Sequence, residues 1–188
     1  MVPYNMHSMN LYKLVICLFL LPGFTGFAQD VMPEKFNLGT IATNTEIALW
    51  DTDIKPDGTG LPAGGGTVPL GEQLFIVKCL MCHGPQGKNG PNPQLVGRRP
   101  NDAFDFGNDH TIARTVGNYW PYATTLFDYI WRAMPQVEPG SLKPEEVYSL
   151  TAYILYLNEI IPKDAVLNAT TLPNIKMPAK DRFYIDDN

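Results

Sequence analysis

Apolar side chains recur at intervals of three and four residues in three stretches of the chain, and nowhere do they alternate as along a half-buried strand. The first stretch predicts a helix from Pro69 to about Cys79, with a proline in its first turn and Glu72 near the positive end of the helix dipole. Leu70, Leu74, Phe75 and Val77 supply its apolar face. After Pro121, Leu126, Phe127, Ile130 and Met134 keep helical spacing, Thr125 and Asp128 stand at capping-box separation, and Pro135 ends the helix at Met134. A third helix opens at Pro144-Glu145-Glu146 and runs to about Asn158, carrying Val147, Leu150, Ile154, Leu155 and Leu157. Residues 84–110 are dense in glycine, proline and asparagine and predict an ordered loop. Residues 29–66 hold no sustained period and end in Pro62-Ala63-Gly64-Gly65-Gly66, which predicts a linker. Glu46, Asp51, Asp53 and Asp57 form a solvated acidic stretch within that segment. The expected class is all-α.

One further apolar run is too short to be a membrane span. Lys13 precedes Leu14-Val15-Ile16-Cys17-Leu18-Phe19-Leu20-Leu21, followed by Pro22 and a small-residue exit at Gly26-Phe27-Ala28, the order of a secretory signal with cleavage near Ala28. Ile16 is bulkier than the residue a lipid-modified cysteine wants before it, so Cys17 is not read as a lipid anchor. Removal of residues 1–28 leaves 160 residues without a spanning segment, enough for one domain with extensions. The expected division is a leader at 1–28, an N-terminal extension at 29–66, a helical domain at 67–160 and a C-terminal extension at 161–188.

The leader takes Lys13 and no acidic residue, so the mature chain has thirteen Lys and Arg against nineteen Asp and Glu, a net charge of −6. That balance argues against nucleic acid as a partner, because phosphate binding needs clustered cations.

The chemistry is concentrated in Cys79-Leu80-Met81-Cys82-His83, the C-x-x-C-H spacing of c-type haem attachment. Two thiols three positions apart can add to the two vinyl groups of one porphyrin, and the adjacent imidazole then ligates the iron. The chain has three cysteines and Cys17 leaves with the leader, so a four-cysteine zinc site cannot form within one mature chain. A thioredoxin-like dithiol belongs beside a βαβ pattern, and these flanks are helical and loop-like. One covalent haem c is the expected cofactor. Export to the periplasm agrees with it, since c-type haem is attached outside the cytoplasm.

Around this motif the chain resembles class I cytochromes c. Gly71, Phe75 and Cys79 are spaced by four, and Leu150 and Tyr153 lie three apart on the last helix. In that family the glycine lets the first and last helices cross closely while the two aromatics pack at the crossing, so the implied architecture is that fold with N- and C-terminal extensions. A narrower resemblance covers roughly residues 39–183. The runs from Trp50 to Pro62 and from Val116 to Ile130, with Arg132-Ala133-Met134-Pro135, Glu146 to Asn158 and Met177-Pro178, are similar to the SoxD-type cytochrome c subunit of periplasmic sulfur dehydrogenase and related sulfite dehydrogenase cytochromes. Trp131 stands where members of that family commonly carry an arginine before Arg132.

The resemblance implies an electron-transfer subunit that accepts electrons from a molybdopterin-containing sulfite or sulfur dehydrogenase subunit and passes them to another cytochrome c. His83 is the proximal ligand by motif. Met134, at a helix end and within the Ala-Met-Pro motif, is the expected sixth ligand; Met177, His110 and Met32 are the alternatives. A proline carbonyl holds the proximal histidine in class I cytochromes, which here means Pro91 or Pro93. Arg98 or Arg99 is a candidate partner for a haem propionate. Trp120, Tyr122 and Tyr129 are expected along the haem pocket. Two other functions remain open: a haem enzyme oxidising thiosulfate or a related compound at its own iron, and a freestanding electron carrier. The enzyme needs a displaceable sixth position, often with a nearby cysteine, and the mature chain has no spare cysteine. The extensions at 29–66 and 161–188 weigh against a minimal carrier.

Overall fold

A computed structural model describes residues 38–183. The leader, Cys17 and Met32 lie outside the described residues. Residues 38–43 are irregular, and residues from Asn44 onward form the packed unit described below.

Five α-helices and one short sheet make up this unit: α1 (Asn44–Trp50), β1 (Gly65–Thr67), α2 (Val68–Lys78), α3 (Leu80–His83), α4 (Ala123–Ala133), α5 (Pro144–Leu157) and β2 (Val166–Asn168). No helix among the described residues is long and apolar enough to cross a membrane. Thr67 opens α2 from an extended backbone and its hydroxyl accepts the Leu70 N–H, while Pro69 sits where a helix needs no donor. At α5 the Glu146 carboxylate reaches back 2.8 Å to accept the Lys143 N–H. In α4, by contrast, the Thr125–Asp128 spacing does not cap. That helix begins two residues earlier, at Ala123, and Asp128 is drawn inward by partners distant in sequence. Capping-box spacing is a local signal, and tertiary contacts override it here.

α5 is the centre of the fold. Every residue from Val147 to Leu155 is buried, so the helix is enclosed on all sides. Removing a large apolar side chain of this kind from water contributes roughly 1.5–3 kcal/mol. α2 crosses it where Gly71 lacks a side chain; a Cβ there would run into the Ser149 carbonyl and lie 2.7 Å from Tyr153 Cβ. Phe75 and Tyr153 seal the crossing with ring centroids 5.4 Å apart. Only Val68, Gly71 and Phe75 of α2 are buried, and Leu70 and Val77 face outward, contrary to the apolar face expected from the sequence.

The glycine cluster is not a linker. β1 pairs antiparallel with β2, placing Gly66 opposite Leu167, and Gly66 packs so close to the Ser149 backbone that no Cβ would fit. Parts of both expected extensions, residues 54–67 and 166–177, are therefore folded against the helical core. Leu172 and Met177 return from the C-terminal side into it, and Ile54 from the N-terminal side.

Candidate functional site

α2 ends at Lys78, and the one-turn helix α3 follows with Cys79 at its N-cap and Cys82 and His83 within it. Both thiols are free. Burial pushes the Cys79 thiol up to about 11. A positive φ at Gly84 then turns the chain, where a Cβ on Gly84 would strike the backbone of Lys88–Gly90. This turn brings Pro93 back under the histidine, with His83 Nδ1 3.0 Å from the Pro93 carbonyl oxygen. That contact fits a neutral imidazole that donates from Nδ1 and keeps Nε2 for a metal. Between the two prolines left open by spacing, the structure puts Pro93 at the histidine.

α4 carries the other side chain of interest. Its last turn closes with the Met134 N–H donating 3.1 Å to the Ile130 carbonyl, and Met134 leaves the helix in an extended conformation. Cys79, Cys82, His83 and Met134 all line one cavity of about 180 Å³. Its walls include Leu95, Val116, Trp120, Leu126, Ile130, Leu150 and Ile154. An adjoining cavity of about 460 Å³ shares His83, Met134, Trp120, Tyr129 and Gln136 and adds Gln94 and Arg114. Taken together, the two cavities are bordered by two thiols, an imidazole, a thioether and, on the larger one, an arginine, a lining that fits a flat apolar macrocycle bearing two carboxylates.

Other expected residues lie elsewhere. Met177 is buried in the core and lines neither cavity, and His110 is exposed in the loop. Tyr122 sits beneath the Lys180 ammonium, 5.8 Å from its ring centroid, rather than on the cavity wall. Arg98 turns away as well: it pairs with Asp102 at 2.6 Å and donates to the Asn158 carbonyl. Arg99 pairs with Asp105.

Two residues that sequence reasoning missed matter more. Arg114 lines the larger cavity, makes no carboxylate pair among the described residues, and rests over the Tyr119 ring at 5.0 Å, a contact of about 0.5–1 kcal/mol at an exposed site. Tyr119 is itself fixed by Phe104, Phe106 and Phe183. Asn158, fully buried after α5, holds the loop: its Oδ1 accepts the Gly97 N–H at 3.0 Å while Nδ2 donates to Ile154 and Leu95 carbonyls. Thr115 completes this anchor by donating 2.6 Å to the Gly97 carbonyl. An asparagine at a helix end gives no sequence signal beyond a possible cap, which is why its role was not visible.

Comparison with known proteins agrees with this geometry. The family "Cytochrome C oxidase, cbb3-type, subunit III" matches residues 66–154. Among solved structures, the chain is similar to one from the sulfane dehydrogenase SoxCD of Paracoccus pantotrophus, at 36% identity and a TM-score of 0.70, with 81% of this chain and 73% of that chain covered.

Proposed function

From the premise that this chain belongs to the c-type cytochrome family that includes the SoxD subunit of sulfane dehydrogenase, we propose that it is the single-haem electron-transfer subunit of a molybdopterin sulfite or sulfur dehydrogenase. In this reading it is exported to the periplasm after cleavage near Ala28, and its haem domain occupies residues 67–160. The observation that carries the reading is that Cys79, Cys82, His83 and Met134 line one apolar cavity.

Haem c supplies a one-electron couple, and ligation by one methionine and one histidine raises its potential relative to bis-histidine ligation. The chain's own residues do the rest. Cys79 and Cys82 provide thioether links, and the Pro93 carbonyl fixes the tautomer and plane of His83. Met134 would supply a thioether ligand to the iron, and Arg114 would offer its guanidinium to a propionate. Trp120, Tyr129 and the aliphatic walls would pack against the faces of the macrocycle.

With both thiols and Met134 engaged by a haem, no cysteine among the described residues would be left to attack a sulfur substrate, which supports assigning the chemistry to the partner. Electrons enter from the molybdenum subunit and leave to a downstream cytochrome c. The test is purification from the native source, acid-acetone extraction and metal analysis. Haem retained on the polypeptide, together with about one molybdenum per chain in the complex, is expected. Haem lost to the solvent, or a pure chain without molybdenum, would contradict the reading.

A further inference from the structure

The N-terminal segment from Asp53 to Pro62 lies across the helix that ends at Met134. It is tied at three points: the Ile54 N–H donates to Asp128 Oδ1 at 3.2 Å, the Thr124 hydroxyl donates to the Pro56 carbonyl at 3.4 Å, and the Tyr148 hydroxyl of α5 donates to the Pro62 carbonyl at 2.8 Å. Burial pushes the Tyr148 phenol pKa up, which keeps that donor protonated. The shape of the segment also demands glycine. Gly58 and Gly60 both have φ near +90°, and a Cβ would strike Pro173 at the first and the Asp53 carbonyl at the second.

Asp128 is the centre of this arrangement. It is only 8% exposed, and both its oxygens are engaged, because Arg132 donates Nε–H to Oδ1 at 2.8 Å and Nη2–H to Oδ2. The carboxylate thus joins the strap to the last two turns of α4, with Arg132 two residues before Met134. A helix gripped at its first turn by Thr124 and at its middle by Asp128 cannot slide or tilt away from this segment, itself tied to α5 through Tyr148, without breaking these hydrogen bonds.

We propose that residues 53–62 form a strap that holds α4 in the position from which Met134 ligates iron, with Asp128 as its clasp and a positioning residue for the sixth ligand. This rests on the reading of Met134 as that ligand. The strap governs how readily the thioether leaves the metal. A minimal carrier has no use for such a device, which gives the N-terminal segment a function of its own.

The test measures imidazole binding to the ferric holoprotein, a reaction gated by methionine departure, in Asp128→Asn and in the milder Thr124→Val. Binding should speed about tenfold in Asp128→Asn and severalfold in Thr124→Val, with the weak sulfur-to-iron band at the red edge of the spectrum reduced in both. Leu167→Ala, a buried change in β2 away from the strap, controls for general loss of stability and should leave the rate unchanged. Equal acceleration in Leu167→Ala, or none in either strap variant, overturns the clasp. Retention of the band in Met134→Ala overturns the ligand assignment itself, and the proposal with it.

Discussion

Where α2 crosses α5, position is set by apolar contact and by a hydrogen atom standing in place of a side chain. Around the loop from residue 84 to 122 it is set by hydrogen bonds that the Asn158 and Asn118 side chains accept from backbone N–H groups and that the Thr115 hydroxyl donates to a backbone carbonyl. The crossing is dry and continuous with the core; the loop is half-exposed and surrounds the cavity. One wall is thus built by close packing of the core, whereas the other is a loop pinned through its backbone.

The sharpest way to break that contrast is Gly71→Val. The new side chain would collide with the Ser149 backbone, which cannot yield without moving α5. A loss of about 4 kcal/mol or more is expected in denaturant melts, at the upper end of single substitutions. A loss below about 1 kcal/mol would mean the helices do not cross this closely.

Asn158→Leu strikes the loop instead. The half-buried Gly97 N–H loses its side-chain acceptor, at about 1–3 kcal/mol for an unsatisfied group, while the Leu95 carbonyl keeps the Val116 N–H. Amide exchange should quicken at Gly97 and Val116 while the Phe75–Tyr153 contact keeps its protection. Uniform acceleration across both regions would erase the distinction.

A third, smaller effect concerns Cys79, which packs against the core at the end of α2. Burial raises its pKa from 9.0 to about 11, so the folded haem-free chain disfavours the thiolate. The stability tied to the neutral thiol is complete below pH 9.0 and declines as pH climbs through about 11. Alkylation of Cys79 should show the same late rise. A half-point near 9 would indicate that the crossing does not persist without haem.

The three main helices were legible because their apolar residues recur with the helical period, and the haem motif because its spacing is rigidly tied to its chemistry. What was not legible depends on chain segments that meet only in the fold. Gly64, Gly65 and Gly66 carry the same signal whether glycine gives flexibility or permits close approach, and here Gly66 does the second against Ser149. Arg98 and Arg99 lie near the motif in sequence and were the candidates for a propionate, yet Asp102 and Asp105 capture them, and Arg114 carried no signal of its own. Asp128 fitted a local cap, and its true partner is the Ile54 N–H, 74 residues away.

The central claim is that this chain carries electrons and does not itself oxidise sulfur compounds. Stopped-flow haem reduction tests it directly, with the purified chain mixed with sulfite or thiosulfate in the presence and absence of the cognate molybdenum subunit. The account predicts fast reduction only when the partner is present, slowed by salt to the extent that the acidic balance of the chain, −5 over the full sequence, guides docking. Fast reduction by either compound alone would contradict it and place the sulfur chemistry at this chain's own iron.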